Sequence, residues 1–393
     1  MRSVGGRVAT ALLGWSLVFG IVSIAVHPEA CRRPSDHELR AAAEAAVVWF
    51  RANLDDDGQF VYRYDRDRQT EEIGYNDPRH AGVMFSLWQA AGHGIEGAEE
   101  TAELAFTRVE RLIVDTPVGP AFGRGQSVRS GATALLASAL DERRRATGQR
   151  DLDALLVAFG QTLVGVVNND GSVSAAIHVR DGPDDSRSPF FTGEVMWALA
   201  RLHLSFPDQG FNEAALSVRR YLVEDRDRVE RPWPIVSDHW GAYGFETMGR
   251  WPSAPRYTAI EETWLDRQLG LFGLQVRYES QRRGGITRLT RGPIALAAGV
   301  GTLGEGLGNH VLELHRRDAR PDDLSLLMER ADCAAALLVD RQVDVTDASS
   351  DSEPERTFGA WFRLGDTQMD DQQHALSALL LLLEARAAIG AEL

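Results

Sequence analysis

Six times along the chain a polar or aromatic stretch runs into a short glycine- or alanine-bearing step and then into a helix-like apolar run. The steps are Arg79-His80-Ala81-Gly82, Arg129-Ser130-Gly131-Ala132, Phe191-Thr192-Gly193-Glu194, His239-Trp240-Gly241-Ala242, Arg291-Gly292-Pro293-Ile294 and Gln373-His374-Ala375-Leu376. Gly82, Gly131, Gly193 and Gly241 stand 49, 62 and 48 residues apart, and the last two steps fit the period more loosely. A repeat near 50 residues accommodates a helix, a loop, a second helix and a return, so the pattern predicts six helical hairpins set in a ring. Closure of such a ring brings the six helix starts to one rim, where their side chains share a cavity.

The intervening segments supply the first helix of each pair. Ser35-Asp36-His37-Glu38 reads as an N-cap with first-turn acids, opening a helix to about Asn53. Further helices are expected at Gly97–Val114, Asn212–Glu224, Ile260–Ser280 and about Asp322–Asp340. The second helices begin near Arg79, Ser130, Phe191 and Asp238, with a glycine-rich one over Arg288–Leu307 and the last from Asp370. Pro78 suits a first helical turn. Short strand-like excursions precede some of them, at Gln59–Tyr64 and Gly359–Leu364. The turn Asp55-Asp56-Asp57-Gly58 is echoed by Asn168-Asn169-Asp170-Gly171, and the polar run Asp344–Glu355 is expected to be an exposed loop.

Val8 to Val26 is a different kind of segment: 19 mostly apolar, uncharged residues behind Arg2 and Arg7. That approaches the ~20 residues needed to cross a bilayer and exceeds a signal-peptide core. No small-x-small cleavage site follows it. Residues 1–34 therefore read as a signal-anchor and juxtamembrane linker, and 35–393 as the ring domain, with the body in the periplasm or extracellular space. A secreted protein with a cleaved leader is the alternative.

A net charge of −15 opposes a nucleic-acid partner, which needs a basic surface. All 42 basic residues are arginine, so Schiff-base chemistry and a phosphate-binding Walker lysine are excluded. Cys31 and Cys333 are far apart and neither belongs to a CxxC pair; a cysteine zinc site is not expected, and no disulfide framework is argued from them.

The paired helices, the Asp-Gly and aromatic excursions, and the acids or histidines at helix starts resemble the (α/α)6 toroids of the six-hairpin glycosidase-like superfamily, whose barrel is shared by uronate lyases and epimerases. The resemblance covers residues 36–390 as architecture. It implies an all-α fold and a carbohydrate-active protein, in the first place a glycoside hydrolase working on a polysaccharide or oligosaccharide, and the N-terminal apolar segment makes that protein envelope-anchored. No DxDD or DDxxD run supports isoprenoid chemistry in the same barrel.

The candidate chemistry lies at the helix starts. Glu194 among aromatics, with Asp371 or Asp238, is the carboxylate pair a glycosidase needs, one acid and one base or nucleophile. His80 and His374 are further catalytic candidates, and with His239 they occupy three equivalent starts. Tyr62, Tyr64, Tyr75, Arg79, His239, Trp240, Glu246, Trp361 and Asp370 are the expected substrate contacts; Trp233 is a further stacking candidate. Histidines, tyrosines and Arg79 suit uronate lyase or epimerase chemistry instead, and aromatics without a spaced acid pair suit a non-catalytic glycan-binding partner in polysaccharide export. First-turn acids also serve as helix caps. No cofactor and no metal is expected.

Overall fold

A computed structural model describes residues 4–25, 31–230, 237–282 and 286–390. Its helices are α1 (Val4–Ala25), α2 (Asp36–Ala52), α3 (Asp77–Gly92), α4 (Ala98–Glu110), α5 (Ser130–Thr147), α6 (Asp153–Gly165), α7 (Phe191–Ser205) and α8 (Phe211–Tyr221). They continue with α9 (Asp227–Val229), α10 (His239–Gly249), α11 (Ala259–Ser280), α12 (Ile286–Arg291), α13 (Ala297–Arg316), α14 (Pro321–Arg341), α15 (Val345–Ala348) and α16 (Met369–Gly390). Trp233 lies outside the described residues.

The predicted ring closes. Helix α3 packs on α5, α5 on α7, α7 on α10, α10 on α13, α13 on α16, and α16 back on α3. These six are the second helices of their hairpins, and α2, α4, α6, α8, α11 and α14 surround them. The sequence explains which helix goes where. In α2 the buried residues Leu39, Ala42, Ala43, Ala46, Val47 and Phe50 recur every three or four positions, leaving a solvated face. In α5 every residue from Ser130 to Arg143 is buried, as befits a helix enclosed on all sides.

The recurring glycines are contact points between these inner helices. Gly82 of α3 faces Gln373 of α16, Gly131 of α5 faces Glu194 and Phe191 of α7, and Gly193 of α7 faces Trp240 of α10. The glycine-rich fifth unit extends the device. Gly301, Gly304 and Gly308 of α13 face His374, Ala378 and Leu381 of α16, so these two helices approach almost backbone to backbone. The echoed turns also have a common cause. Gly58 and Gly171 have φ of +78° and +86°, and each lies against a carbonyl oxygen of an outer helix, Leu104 or Ser217.

Short strands occupy the loops that lead into inner helices. They are β1 (Arg63–Asp65), β2 (Thr70–Glu71), β3 (Ile113–Thr116), β4 (Gly119–Phe122), β5 (Ser127–Arg129), β6 (Ala176–His178), β7 (Gly182–Pro183) and β8 (Asp366–Gln368). Antiparallel pairing of β1 with β8, Tyr64 opposite Thr367, ties the first unit to the last. Pairing of β5 with β6, Val128 opposite Ile177, ties the second to the third.

Several boundaries differ from expectation. The helix expected to reach Val114 ends at Glu110, because Ile113–Thr116 pairs with β4. The helix expected over Arg288–Leu307 is interrupted after Arg291, where Gly292 adopts φ +74° and Pro293 follows. Gly359–Leu364 forms only isolated bridges, Gln342 with Trp361 and Arg363 with Asp366. The insertion Asp344–Glu355 holds α15 and a 3-10 turn, and it is pinned to the β1 region by Tyr64 hydroxyl on Glu353 (2.7 Å) and Arg66 on Asp351 (3.0 Å).

Cys31 and Cys333 are joined as a disulfide across 302 residues, linking the segment before α2 to α14. Sequence distance had concealed this pairing, because ring closure returns the last hairpin to the first. Helix α1 contains a 19-residue stretch, Gly5–Ser23, long and apolar enough to cross a membrane, and its side chains are unburied.

Candidate active site

The side chains of greatest chemical interest converge on the rim formed by the N-termini of the inner helices. Asp238 caps α10, one carboxylate oxygen accepting the Gly241 N–H at 2.8 Å while the other meets Arg226. Arg226 is fully buried and also pairs with Asp227. A single π-helical turn, Leu222–Arg226 at the end of α8, places it there. Burial would raise the Asp238 carboxyl, but the Arg226 charge and hydrogen bond outweigh it and hold the group below its ordinary range. Asp238 is thus a fixed anion committed to α10 and Arg226.

The next residue of α10 begins the reactive cluster. The His239 ring lies 5.1 Å from that of His374 on α16, nearly perpendicular at 84°. Both rings rest on Trp240, at 4.4 and 5.8 Å between centroids. Trp240 in turn stacks on Trp197 and Tyr243, at 5.3 and 5.7 Å. His374 Nδ1 is 2.7 Å from Glu305 Oε2, and the Tyr243 hydroxyl donates to Glu305 Oε1 at 3.1 Å. Burial raises the Glu305 carboxyl. It would lower His374, but the adjacent Glu305 carboxylate outweighs it, and Asp370 and Asp371 add to the upward shift. His239, Glu305 and His374 offer donor atoms all within 4.8 Å of one another, so these are the residues that could gather around a divalent cation.

A second group adjoins His374 on the α3 side of the rim. Arg79 pairs with Asp370 at 3.1 Å and donates to the Tyr62 hydroxyl at 2.8 Å and to Gln368 at 2.7 Å. Asp370 precedes His374 by one helical turn, so the pair stands beside the imidazole. Asp371 turns elsewhere: its oxygens accept the N–H groups of Ala298 (2.9 Å) and Gln368 (3.1 Å), latching α16 to the first turn of α13. Burial pushes its carboxyl up to about 6.

Glu194, near the start of α7, is 5% exposed, and its Oε2 has no hydrogen-bond partner among the described residues. Burial, with the Asp238 charge second, pushes it up to about 8. The native state therefore holds this proton more tightly than the unfolded chain does. The contribution of Glu194 to stability is therefore present in full below about pH 4.5 and is lost as pH rises through about 8. At about 1.4 kcal/mol per unit the effect amounts to several kcal/mol. Glu194→Gln should accordingly remove most of the loss in urea resistance between pH 5 and 8.5. Parallel pH dependences in wild type and variant would rule this out.

The other sequence candidates sit away from the histidine cluster. His80 faces outward between α3 and α4, its Nδ1 receiving the Tyr75 hydroxyl (2.7 Å) and its Nε2 meeting the Ala105 carbonyl (3.2 Å). It is fully buried against Phe60 and Phe122, and burial pushes it down to about 3, a neutral packing residue. Tyr75 is spent on His80 and the Phe60 N–H, and Tyr64 on Glu353. Trp361 is buried with its indole N–H on the Leu338 carbonyl. Glu246 lies toward the C-terminal end of α10, bound by Arg250 and Arg316.

Two residues of the cluster escaped the sequence reading, Glu305 and Tyr243. Tyr243 follows His239 by four residues and so shares its helix face, a spacing that could have been used. Glu305 is the one acid between Ala297 and Leu312, a buried charge signal hidden by its glycine neighbours.

At the opposite end of the ring, the C-terminal halves of the inner helices enclose a cavity of about 340 Å3. Its wall includes Gln89, Asp141, Arg201, Tyr243, Arg250 and Glu384.

No protein-family model matches the chain, and no curated protein sequence matches it. Solved structures do. The cellobiose 2-epimerase from Spirochaeta thermophila DSM 6192 superposes with a TM-score of 0.64 at 13% identity, over 91% of this chain and 98% of that one. A D-mannose isomerase gives 0.62 at 12% identity, over 89% and 98%. An unsaturated glucuronyl hydrolase specific for heparin gives 0.59 at 10% identity, over 90% and 99%. The chain thus shares the (α/α)6 toroid fold of these structures.

Proposed function

We propose that this protein is a carbohydrate-processing enzyme that moves a proton at the carbon beside the carbonyl of a reducing sugar, as a 2-epimerase or aldose–ketose isomerase. The observation that carries this reading is the pair of imidazoles 5.1 Å apart on a tryptophan platform, one of them backed by a buried carboxylate. General acid–base transfer at carbon needs a base near neutral pKa and an acid within reach of the carbonyl oxygen. In this reading Glu305 keeps His374 charged as the acid, and His239 takes the proton from C2 of the open-chain aldose. The C2–H electron pair forms the C1–C2 double bond as O1 is protonated, giving an enediol. Return of a proton to C2 from the other face, as O1 gives up its proton and the C1 carbonyl re-forms, yields the 2-epimer, and return to C1, as O2 gives up its proton, yields the ketose. Arg79, held by Asp370, is placed to bind sugar hydroxyls beside His374. The names of two structural neighbours, a cellobiose 2-epimerase and a mannose isomerase, agree with this chemistry.

A second reading, glycoside hydrolysis, is favoured by Glu194, a buried carboxyl that stays protonated near neutral pH. Asp238, the acid whose charge acts on it, is however committed to Arg226 and the α10 cap, which leaves it weak as a base or nucleophile. We place the body outside the cytoplasm, held by α1. The disulfide supports this, since such bonds persist in oxidising compartments.

The test is incubation of the full-length protein in detergent with glucose, mannose and cellobiose in D2O, followed by NMR. A 2-epimer or ketose carrying deuterium is expected. Release of new reducing ends from mannan or unsaturated glucuronides, with no epimer or ketose from any sugar, would replace this reading with hydrolysis.

A further inference from the structure

All six inner helices send a polar side chain to the cavity at their C-terminal end. Gln89 comes from α3, Glu142 from α5, Arg201 from α7, Thr247 from α10, Asn309 from α13 and Glu384 from α16. Arg250, the residue after α10, joins them. Phe85, Trp197 and Trp240 fill the middle of the ring, at most 5% exposed, and separate this cavity from the histidine rim. Its mouth lies between Arg145, Glu384 and Leu204, the last 38% exposed.

The inner side chains are held at one end and leave the other uncommitted. Arg201 donates from Nε to Asp141 at 2.9 Å and from Nη2 to Glu142 Oε2 at 2.6 Å, with its guanidinium 5.4 Å over the Phe85 ring. Asn309 Nδ2 donates to the Glu305 carbonyl at 2.8 Å, and Gln89 Oε1 accepts from Ser377 at 2.7 Å. Arg250 Nε donates to Glu246 at 2.8 Å. Among the described residues these bonds leave over Arg201 Nη1, the Arg250 Nη groups and Gln89 Nε2 as donors, and Asn309 Oδ1 and Glu142 Oε1 as acceptors. Water or a ligand must meet them, since a buried polar group without a partner costs about 1–3 kcal/mol.

Charge and size narrow the ligand. Arg145, Arg201 and Arg250 stand against Asp141, Glu142 and Glu384, so the wall carries no net charge. Asp141 and Glu142 are both claimed by Arg201, and Glu384 meets His93 at 3.1 Å, so no carboxylate stands alone as a catalyst. Donors and acceptors mixed without net charge match hydroxyl groups, each of which donates once and accepts twice. A volume of about 340 Å3 is at the small end of ligand sites, ~300–1,000 Å3, and suits one ring better than a chain.

We propose that this cavity is a second, non-catalytic sugar site, binding a single uncharged pyranose at the end of the ring opposite the histidines. The site goes beyond the proton-transfer reading and stands without it.

Equilibrium dialysis of the full-length protein in a sugar-free detergent tests this, with radiolabelled methyl glucoside and methyl mannoside as probes. Their rings cannot open, so the proposed rim chemistry cannot convert them. Wild type should take up glycoside in a component that Leu204→Trp, which plugs the mouth, removes. Arg250→Leu, which deletes the Nη donors, should weaken the same component about tenfold, the worth of one hydrogen bond to a charged group. Arg79→Ala, on the rim, should spare it. Thermal unfolding checks that each variant is folded, and if Leu204→Trp is not, Arg250→Leu decides alone. Methyl glucuronide and methyl glucosaminide carry a charge on the same ring and should compete severalfold less well than methyl glucoside. No uptake by wild type, uptake unchanged in the folded cavity variants, or a preference for either charged sugar overturns the site. Uptake that the cavity variants reduce, in a protein that converts no sugar, keeps the site and removes the epimerase reading instead.

Discussion

His374→Asn is expected to lower kcat/KM for sugar interconversion by about 10²–10⁴-fold, the range typical of a lost general acid or base. On the proposed reading the change should fall on kcat, because the expected sugar contacts Arg79, Asp370 and Trp240 are left in place. Two further signatures separate a lost catalyst from a damaged fold. First, either single variant, His374→Asn or His239→Asn, keeps one imidazole. In D2O it should exchange the C2 proton of one epimer while forming little of the other. Second, in the wild type His374 must be charged to act as the acid. Glu305 raises its pKa, so the rate should hold through neutral pH and fall once pH passes that raised value, while at low pH protonation of the base, His239, should lower it. A His374→Asn protein with unaltered turnover would remove the imidazole pair from the mechanism. Removing His374 also leaves Glu305 with Tyr243 and Ser377 as its polar neighbours in a buried site. Stability should drop by about 1–3 kcal/mol for that reason alone.

Gly301→Ala should destabilise the protein and impair catalysis together, although alanine is the better helix former by about 1 kcal/mol. The reason is contact with main chain. A Cβ on Gly301 would overlap the His374 carbonyl group and lie 2.7 Å from the Ala375 nitrogen. No rotamer change relieves a clash with backbone, so α13 and α16 must separate. Overpacking of this kind costs about 1–3 kcal/mol, and the displaced element carries His374 itself. Gly270→Ala is the natural control, since nothing lies within 4 Å of its Cβ position on α11. It should be neutral or stabilising in the same urea titration. Equal stability of the two variants would show that α13 and α16 have slack at this point.

How much of this was legible beforehand follows from the kind of signal each feature leaves. The ring was readable because every inner helix starts with the same need, a small residue where a neighbouring start crosses it, and Gly82, Gly131 and Gly193 recur for that reason. His239 and His374 were readable as members of that series, and His80 was misread by the same logic. Its position in the period matches, but its side chain points away from the ring toward Ala105. Rotation about a helix axis is invisible to a fifty-residue spacing. Glu305 and Tyr243 sit one to two turns deeper than the starts, where the repeat carries no signal. Carboxylates were over-weighted. Asp238, Asp371 and Glu246 each have a structural duty, respectively to Arg226, to the α13 N-terminus and to Arg316. A linear sequence shows an acid but not the cation or N–H that has already claimed it.

The bond between Cys31 and Cys333 spans all but the last of the six hairpins. A cut by a protease anywhere between those residues therefore yields two pieces that remain one covalent molecule, and both stay attached to α1. Shedding of the body from a bilayer would require cleavage ahead of Cys31, or a cut and a reductant together. Against proteolysis the chain behaves as a loop with a short stem, and it is the stem that governs whether the body is retained.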